Sequence, residues 1–135
     1  MQDKDKVLVF QNFARKAAQR LEERKKMRRE RLYVKSIEDE VEIRGLSDAE
    51  LNDCMEFSDD PLEVDKYTVY YASPTLQEAG KLLVADGTLK QEYKIMDMFT
   101  ATERRYLVNR VLELSGATGE AGIEPVKETE ELKNS

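Results

Sequence analysis

Between Lys6 and Arg31 the chain has neither glycine nor proline, and Phe10, Ala14, Ala17 and Leu21 recur at intervals of three and four, with Phe13 and Ala18 beside them. That spacing puts them on one side of an α-helix. It predicts a single long amphipathic helix within residues 1–31, about 40 Å from Lys6 to Arg31 at 1.5 Å per residue. The apolar stripe stops at Leu21. Only Met27 is uncharged between there and Leu32, so the last two turns have no hydrophobic face to bury. They are solvated, or they meet another molecule.

The period then changes from helical to two. In "RLYVKSIEDEVEIRGLS", Leu32, Val34 and Ser36 alternate before Glu38-Asp39, and Val41 and Ile43 alternate after it. This predicts a β-hairpin over 32–45, turning at Glu38-Asp39 and ending at Gly45. Ser47 and Glu50 stand at capping-box spacing, which starts a helix that reaches about Phe57. Pro61 behind acidic residues suits a first helical turn, whereas residues 64–71 are rich in strand-favouring types. Val64, Tyr67, Tyr70 and Tyr71 share a helical face, so helix is the expectation there, ended by Ser73-Pro74.

"TLQEAGKLLVADG" and "TLKQEYKIMDMF" predict two shorter helices divided at Asp86-Gly87, the second burying Leu89, Tyr93, Met96 and Phe99. Thr100 and Glu103 repeat the capping-box spacing. They open a last helix whose apolar face is Leu107, Val108, Val111, Leu112 and Leu114 and whose stop is Gly116. The fold class is therefore mainly α (α+β): a small helical domain with a long N-terminal helix and a short β-hairpin. The helical domain covers 32–116, and 117–135 is expected to be a disordered acidic tail.

Charge changes the picture at the N-terminus. The 135 residues carry 22 Lys and Arg against 28 Asp and Glu, a net charge of −6, but residues 1–31 alone hold eleven basic and five acidic residues, net +6. The remaining residues therefore carry −12. Six of the basic residues (Arg24, Lys25, Lys26, Arg28, Arg29 and Arg31) fall within eight positions. A basic arm on an acidic body fits nucleic-acid binding, docking on a partner or docking on the chain's own body. Glu22, Glu23 and Glu30 reduce the local charge to +3, and Glu22/Lys26 and Lys26/Glu30 are spaced to pair along a solvated helix.

Candidate chemistry is sparse. The chain has no histidine, which removes the commonest general base and zinc ligand together with every Ser-His or Cys-His pair. Cys54, the single cysteine, lies at helical spacing from Leu51 and reads as a small buried hydrophobe. Asp59, Asp60, Glu63 and Asp65 lack the spacing and glycine of a calcium loop and suit a helix N-terminus instead. Gly116, Gly119 and Gly122 follow a helix, unlike a phosphate-binding loop, which follows a strand. The tyrosines near 70 have only Lys66 as a basic neighbour, which favours packing over base stacking. No run of apolar residues approaches a membrane span, and the opening lacks a secretory signal, so the cytoplasm is the expected location. The expectation is a protein with no enzymatic activity, cofactor or metal.

"KYTVYYASPTLQ", followed about 25 residues later by "FTATERRYLVNRVLELSG", resembles the small tail assembly chaperones of tailed phages and Gram-positive prophages. In that family an aliphatic-aromatic helix runs into a Ser-Pro-x-Leu break, a short helical pair follows, and a capped helix closes on Leu-x-Leu-Ser-Gly. "VEIRGLSDAELNDCMEF" is similar to the family's strand leading into a Ser- or Thr-capped helix, so the resemblance covers about residues 32–116. It implies a helper in the host cytoplasm that binds the tape measure protein, with the tail tube protein as a further partner and homo-oligomerisation left open. The long basic helix departs from the shorter, more acidic lead-in of the family. A chaperone of helical clients needs apolar surface rimmed by charge. The candidate partner-binding residues are Leu21, Arg24, Met27, Arg28, Tyr70, Tyr71, Met96 and Phe99. The alternative from the residues themselves is a small nucleic-acid-binding or regulatory module acting through the basic helix.

Overall fold

The structure, a computed structural model, describes residues 3–26 and 28–126. Five α-helices and one two-stranded hairpin make up its regular structure: α1 (Asp3–Lys25), β1 (Arg29–Val34), β2 (Asp39–Arg44), α2 (Asp48–Met55), α3 (Pro61–Tyr71), α4 (Pro74–Ala85) and α5 (Ala101–Leu114), with short 3-10 turns at Lys35–Ile37 and Glu92–Met98. The architecture is mainly α with a small β-hairpin, as the hydrophobic pattern predicts.

The hairpin begins earlier than expected. β1 starts at Arg29, and its register runs from Arg29 opposite Arg44 to Val34 opposite Asp39. The long helix therefore ends at Lys25, not Arg31. Arg29, Glu30 and Arg31 have no strong preference against helix. What overrides local propensity is β2, whose inward Val41 and Ile43 are covered in period-two register by Leu32 and Val34, with Glu30 on the same face. The connection is a 3-10 turn closed by Glu38 in the left-handed region at φ 52°. β2 also docks on the helices: Arg44 N–H donates to the Ala72 carbonyl at 2.9 Å, and Glu42 N–H donates to Thr75 Oγ1 at 3.0 Å.

Caps fix the helices that follow. α2 has a full capping box, with Glu50 N–H on Ser47 Oγ and Ser47 N–H on Glu50 Oε1. Asp60 caps α3 by accepting from Leu62 N–H at 2.9 Å, which gives the acidic cluster its structural role; residues 64–71 are helix. Ser73 caps α4, with Pro74 in its first turn. Gln77 reaches back to donate to the Tyr71 carbonyl at 2.8 Å, closing the end of α3. A second capping box, Thr100 with Glu103, starts α5.

The segment 92–98 is 3-10 where an α-helix is expected. It crosses under α4 so closely that a Cβ on Gly80 would lie 2.7 Å from the Glu92 carbonyl oxygen. The tighter winding sinks Ile95, Met96 and Phe99 into the core within this short crossing.

One core joins the hairpin to the helices: Val41 and Ile43 from β2, Val69 from α3, Leu76 from α4, Met96, and Leu107, Val108, Val111 and Leu114 from α5. Cys54 is buried in it, and burial pushes its thiol upward. Gly116 at φ 75° ends α5 in a Schellman turn, with Ala117 N–H on the Leu112 carbonyl at 2.9 Å. Ser115 is buried beside it; its Oγ accepts from Leu46 N–H at 2.8 Å and donates to the Val111 carbonyl. Residues 117–126 are exposed and form neither helix nor strand. The rest of the expected disordered tail, 127–135, lies outside the described residues.

Candidate partner-binding surface

α1 is the part of the molecule that the core does not use. Every described side chain from Lys6 to Lys26 is exposed except Ala17, which is half-buried. The stripe that predicts burial faces solvent: Phe10 is 70%, Phe13 73% and Leu21 64% exposed. Val7, Ala14 and Ala17 lie along the same side, making a seam about 21 Å long from Val7 to Leu21. Its middle is small and its ends are large. Leu8 and Val9 are exposed too, though on other sides of the helix. Sequence reasoning missed them, yet the run "VLVF" carried the signal: four consecutive apolar residues point all round a helix, and one packing face cannot bury them all.

The base of α1 is tied to the body through Arg24. Its Nη1 donates to the Ser115 carbonyl at 3.3 Å, among the free carbonyls at the end of α5, and its Nη2 is 3.9 Å from Asp48 Oδ1 at the start of α2. Between α1 and the body lies an open cleft of about 590 Å³. Arg20, Glu23, Arg24, Lys25, Lys26 and Arg28 line one side, and residues 45–48 and 114–116 line the other. On the body's side Gly45 lets the chain after β2 pass close to the end of α5, because a Cβ there would sit 2.5 Å from the Leu114 carbonyl oxygen.

The basic segment thus divides between two structures. Arg24, Lys25, Lys26 and Arg28 face or rim the cleft, whereas Arg29 and Arg31 point outward from β1 toward Glu42 at 3.5 Å and Glu40 at 3.7 Å. Lys25 pairs with Glu22 at 3.1 Å. Glu30 does not pair along a helix with Lys26; on the inner face of β1 it takes both Nε and Nη2 of Arg110 on α5. These carboxylates account for much of the basic run.

The expected site residues do not converge. Arg24 and Arg28 line the cleft, Leu21 lies earlier on α1 and does not line it, and Met27 lies outside the described residues. Met96 and Phe99 are buried, as the apolar spacing predicts and against their placement on the binding surface, because the 3-10 crossing points them inward. Tyr70 and Tyr71 are half-buried. The Tyr70 hydroxyl donates to Glu92 at 2.6 Å, and burial together with that carboxylate raises its titration well above the usual phenol range. Tyr71 lies under the Arg44 guanidinium at 5.8 Å. Tyr67 stacks on Phe57 with ring centroids 4.0 Å apart, so the tyrosines pack within the body, with Phe57 at the exposed edge of the group.

Among the described residues, no group of three or more His, Cys, Asp or Glu side chains is arranged to hold a metal ion, and no helix is long and apolar enough to cross a membrane. Compared with protein-family models, curated proteins and solved structures, the chain matches none.

Proposed function

We propose that this chain is a non-enzymatic tail assembly chaperone of a tailed phage or prophage, which binds the tape measure protein in the host cytoplasm and keeps it soluble for tube assembly. The observation that carries this reading is the uncovered apolar seam of α1, set on a body whose own core is filled. A long helical client exposes the same kind of stripe, and two such stripes bury each other as in helix-in-groove recognition. The alanines at positions 14 and 17 let a second helix come close, while Phe10, Phe13 and Leu21 supply anchors at either end. The order of elements, a strand and capped helix followed by the Ser-Pro-x-Leu break and the Leu-x-Leu-Ser-Gly close, supports the family resemblance.

Co-expression with the tape measure protein of the same locus tests this. The wild-type chain should raise the client's soluble fraction, and Phe10→Asp with Phe13→Asp should remove the effect while leaving the body's melting unchanged. A client equally insoluble with and without the wild-type chain overturns the proposal. Sub-micromolar, salt-sensitive binding of DNA or RNA, lost on Arg20→Glu with Arg28→Glu, would favour the nucleic-acid reading instead.

A further inference from the structure

We infer that the chain associates head to tail, the seam of α1 in one copy lying on the α2–α3 junction of the next. The contact uses the same seam that a client helix would use, so on any one copy the two exclude each other. Two exposed apolar surfaces in this molecule have opposite rims. On α1, Phe10, Phe13 and Leu21 are flanked by Lys6 and Arg20, which have no ion-pair partner among the described residues. On the body, Met55 (69% exposed), Phe57 and Leu62 fall within the ten-residue junction 53–62, which has four acidic residues and no cation. Asp53 and Asp59 there also lack an ion-pair partner among the described residues.

The two surfaces do not meet within one copy. Arg24 holds the base of α1 beside Asp48, at the opening turn of α2, whereas Met55 is at the other end of that helix, about 10 Å along it, and is uncovered. A symmetric antiparallel pairing of two α1 helices through the seam would bring Lys6 of one helix toward Arg20 of the other, with Asp3 and Glu23 as the only acids one turn from them on that side, against four acids in the junction. The acidic junction answers them. Exposed ion pairs contribute little each, so burial of the phenylalanines, Leu21 and Met55 drives the contact and charge sets its orientation.

The size of the contact fixes its strength. A seam about 21 Å long and about 10 Å wide covers a few hundred Å² per partner at most, less than the roughly 800 Å² of a durable interface. Association is therefore reversible. Because the two patches differ, it propagates from copy to copy and does not stop at a two-fold dimer.

Sedimentation equilibrium on the full chain tests this. The weight-average mass should rise from the 15.6 kDa of one chain with increasing concentration and pass twice that value without a plateau. Phe13→Asp and, separately, Met55→Asp with Asp59→Lys should each return the protein to a monomer, with unchanged circular dichroism. Mixed one to one, these two variants should recover a species of two chains and no more, since one intact seam then meets one intact junction. A monomer at every concentration overturns the inference. So does a junction variant that associates as the wild type does while Phe13→Asp does not, which would mean that α1 pairs with α1.

Discussion

α1 and α5 are both amphipathic, yet they contribute to the molecule in opposite ways. α5, with 14 residues, buries Leu107, Val108, Val111 and Leu114; α1, with 23, buries no large apolar side chain among those described. A hydrophobic stripe at helical spacing states only that a face needs cover. Whether the cover comes from the same chain depends on the rest of the fold. The hairpin, α3 and the 3-10 crossing supply it for α5, and nothing in the body supplies it for α1. An isolated helix of this length is held by local hydrogen bonds and ion pairs such as Lys25–Glu22, each worth a few tenths of a kcal/mol.

The largest test of that contrast is one substitution made twice. Leu107→Ala in α5 removes a nearly fully buried side chain and leaves a cavity beside Val111, so unfolding in denaturant should show a loss of about 2–5 kcal/mol. Leu21→Ala in α1 should change the same midpoint by less than about 0.5 kcal/mol. A comparable loss from both would mean that α1 is packed against the body in solution.

Ion pairs repeat the contrast at smaller scale. Arg44 holds Glu50 with two contacts, 3.2 and 2.9 Å, in a sheltered position, and that guanidinium holds the carboxyl down to about 2. The folded value lies below the ordinary 4.5, so the stabilisation is complete above pH 4.5 and is lost as pH falls toward 2. Discounted for solvent screening, it is of order 1–2 kcal/mol. Glu50→Gln should cost that much at pH 7 and almost nothing near pH 2, by urea denaturation at each pH. Glu22→Gln, which breaks the exposed pair with Lys25, should be indistinguishable from wild type across the same range. An equal pH-dependent loss at Glu22 would place the base of α1 inside the cooperative unit.

What the sequence made legible follows the same division. Ser47 with Glu50, Thr100 with Glu103, Pro61, Ser73-Pro74 and Gly116 each act within a few residues of themselves, and each cap or stop falls where the pattern predicts. The residues that carry the family resemblance are of this kind. Ser73 caps α4, Leu76 enters the core, and Ser115 and Gly116 close α5, so they speak to fold before they speak to partners. The start of β1 was not legible, because its cause is a strand ten residues further on. Met96 and Phe99 are buried as the apolar spacing predicts; only the resemblance, which calls for apolar surface, puts them on the outside, and there the spacing is the better guide. The cleft beside Arg24 brings residue 24 to residue 115, a proximity no local pattern encodes.

The smallest expected effect is also the one that isolates cooperativity from burial. Arg15 in α1 and Arg105 in α5 are both exposed and mid-helix, and neither has an ion-pair partner among the described residues. Replacing either by glycine raises the cost of local helix by about 1 kcal/mol through backbone freedom. In α5 that cost cannot be separated from global unfolding, since the helix carries four core residues, and Arg105→Gly should lower stability by the full amount. In α1 the helix can fray without exposing any core. Arg15→Gly should therefore weaken the helical signal in circular dichroism while leaving the denaturation midpoint within about 0.3 kcal/mol of wild type. At concentrations where head-to-tail association is populated, the same variant should regain helix as α1 finds its neighbour. A midpoint shift matching that of Arg105→Gly in dilute solution would show the two helices folding as one unit, and the distinction between arm and body would fail.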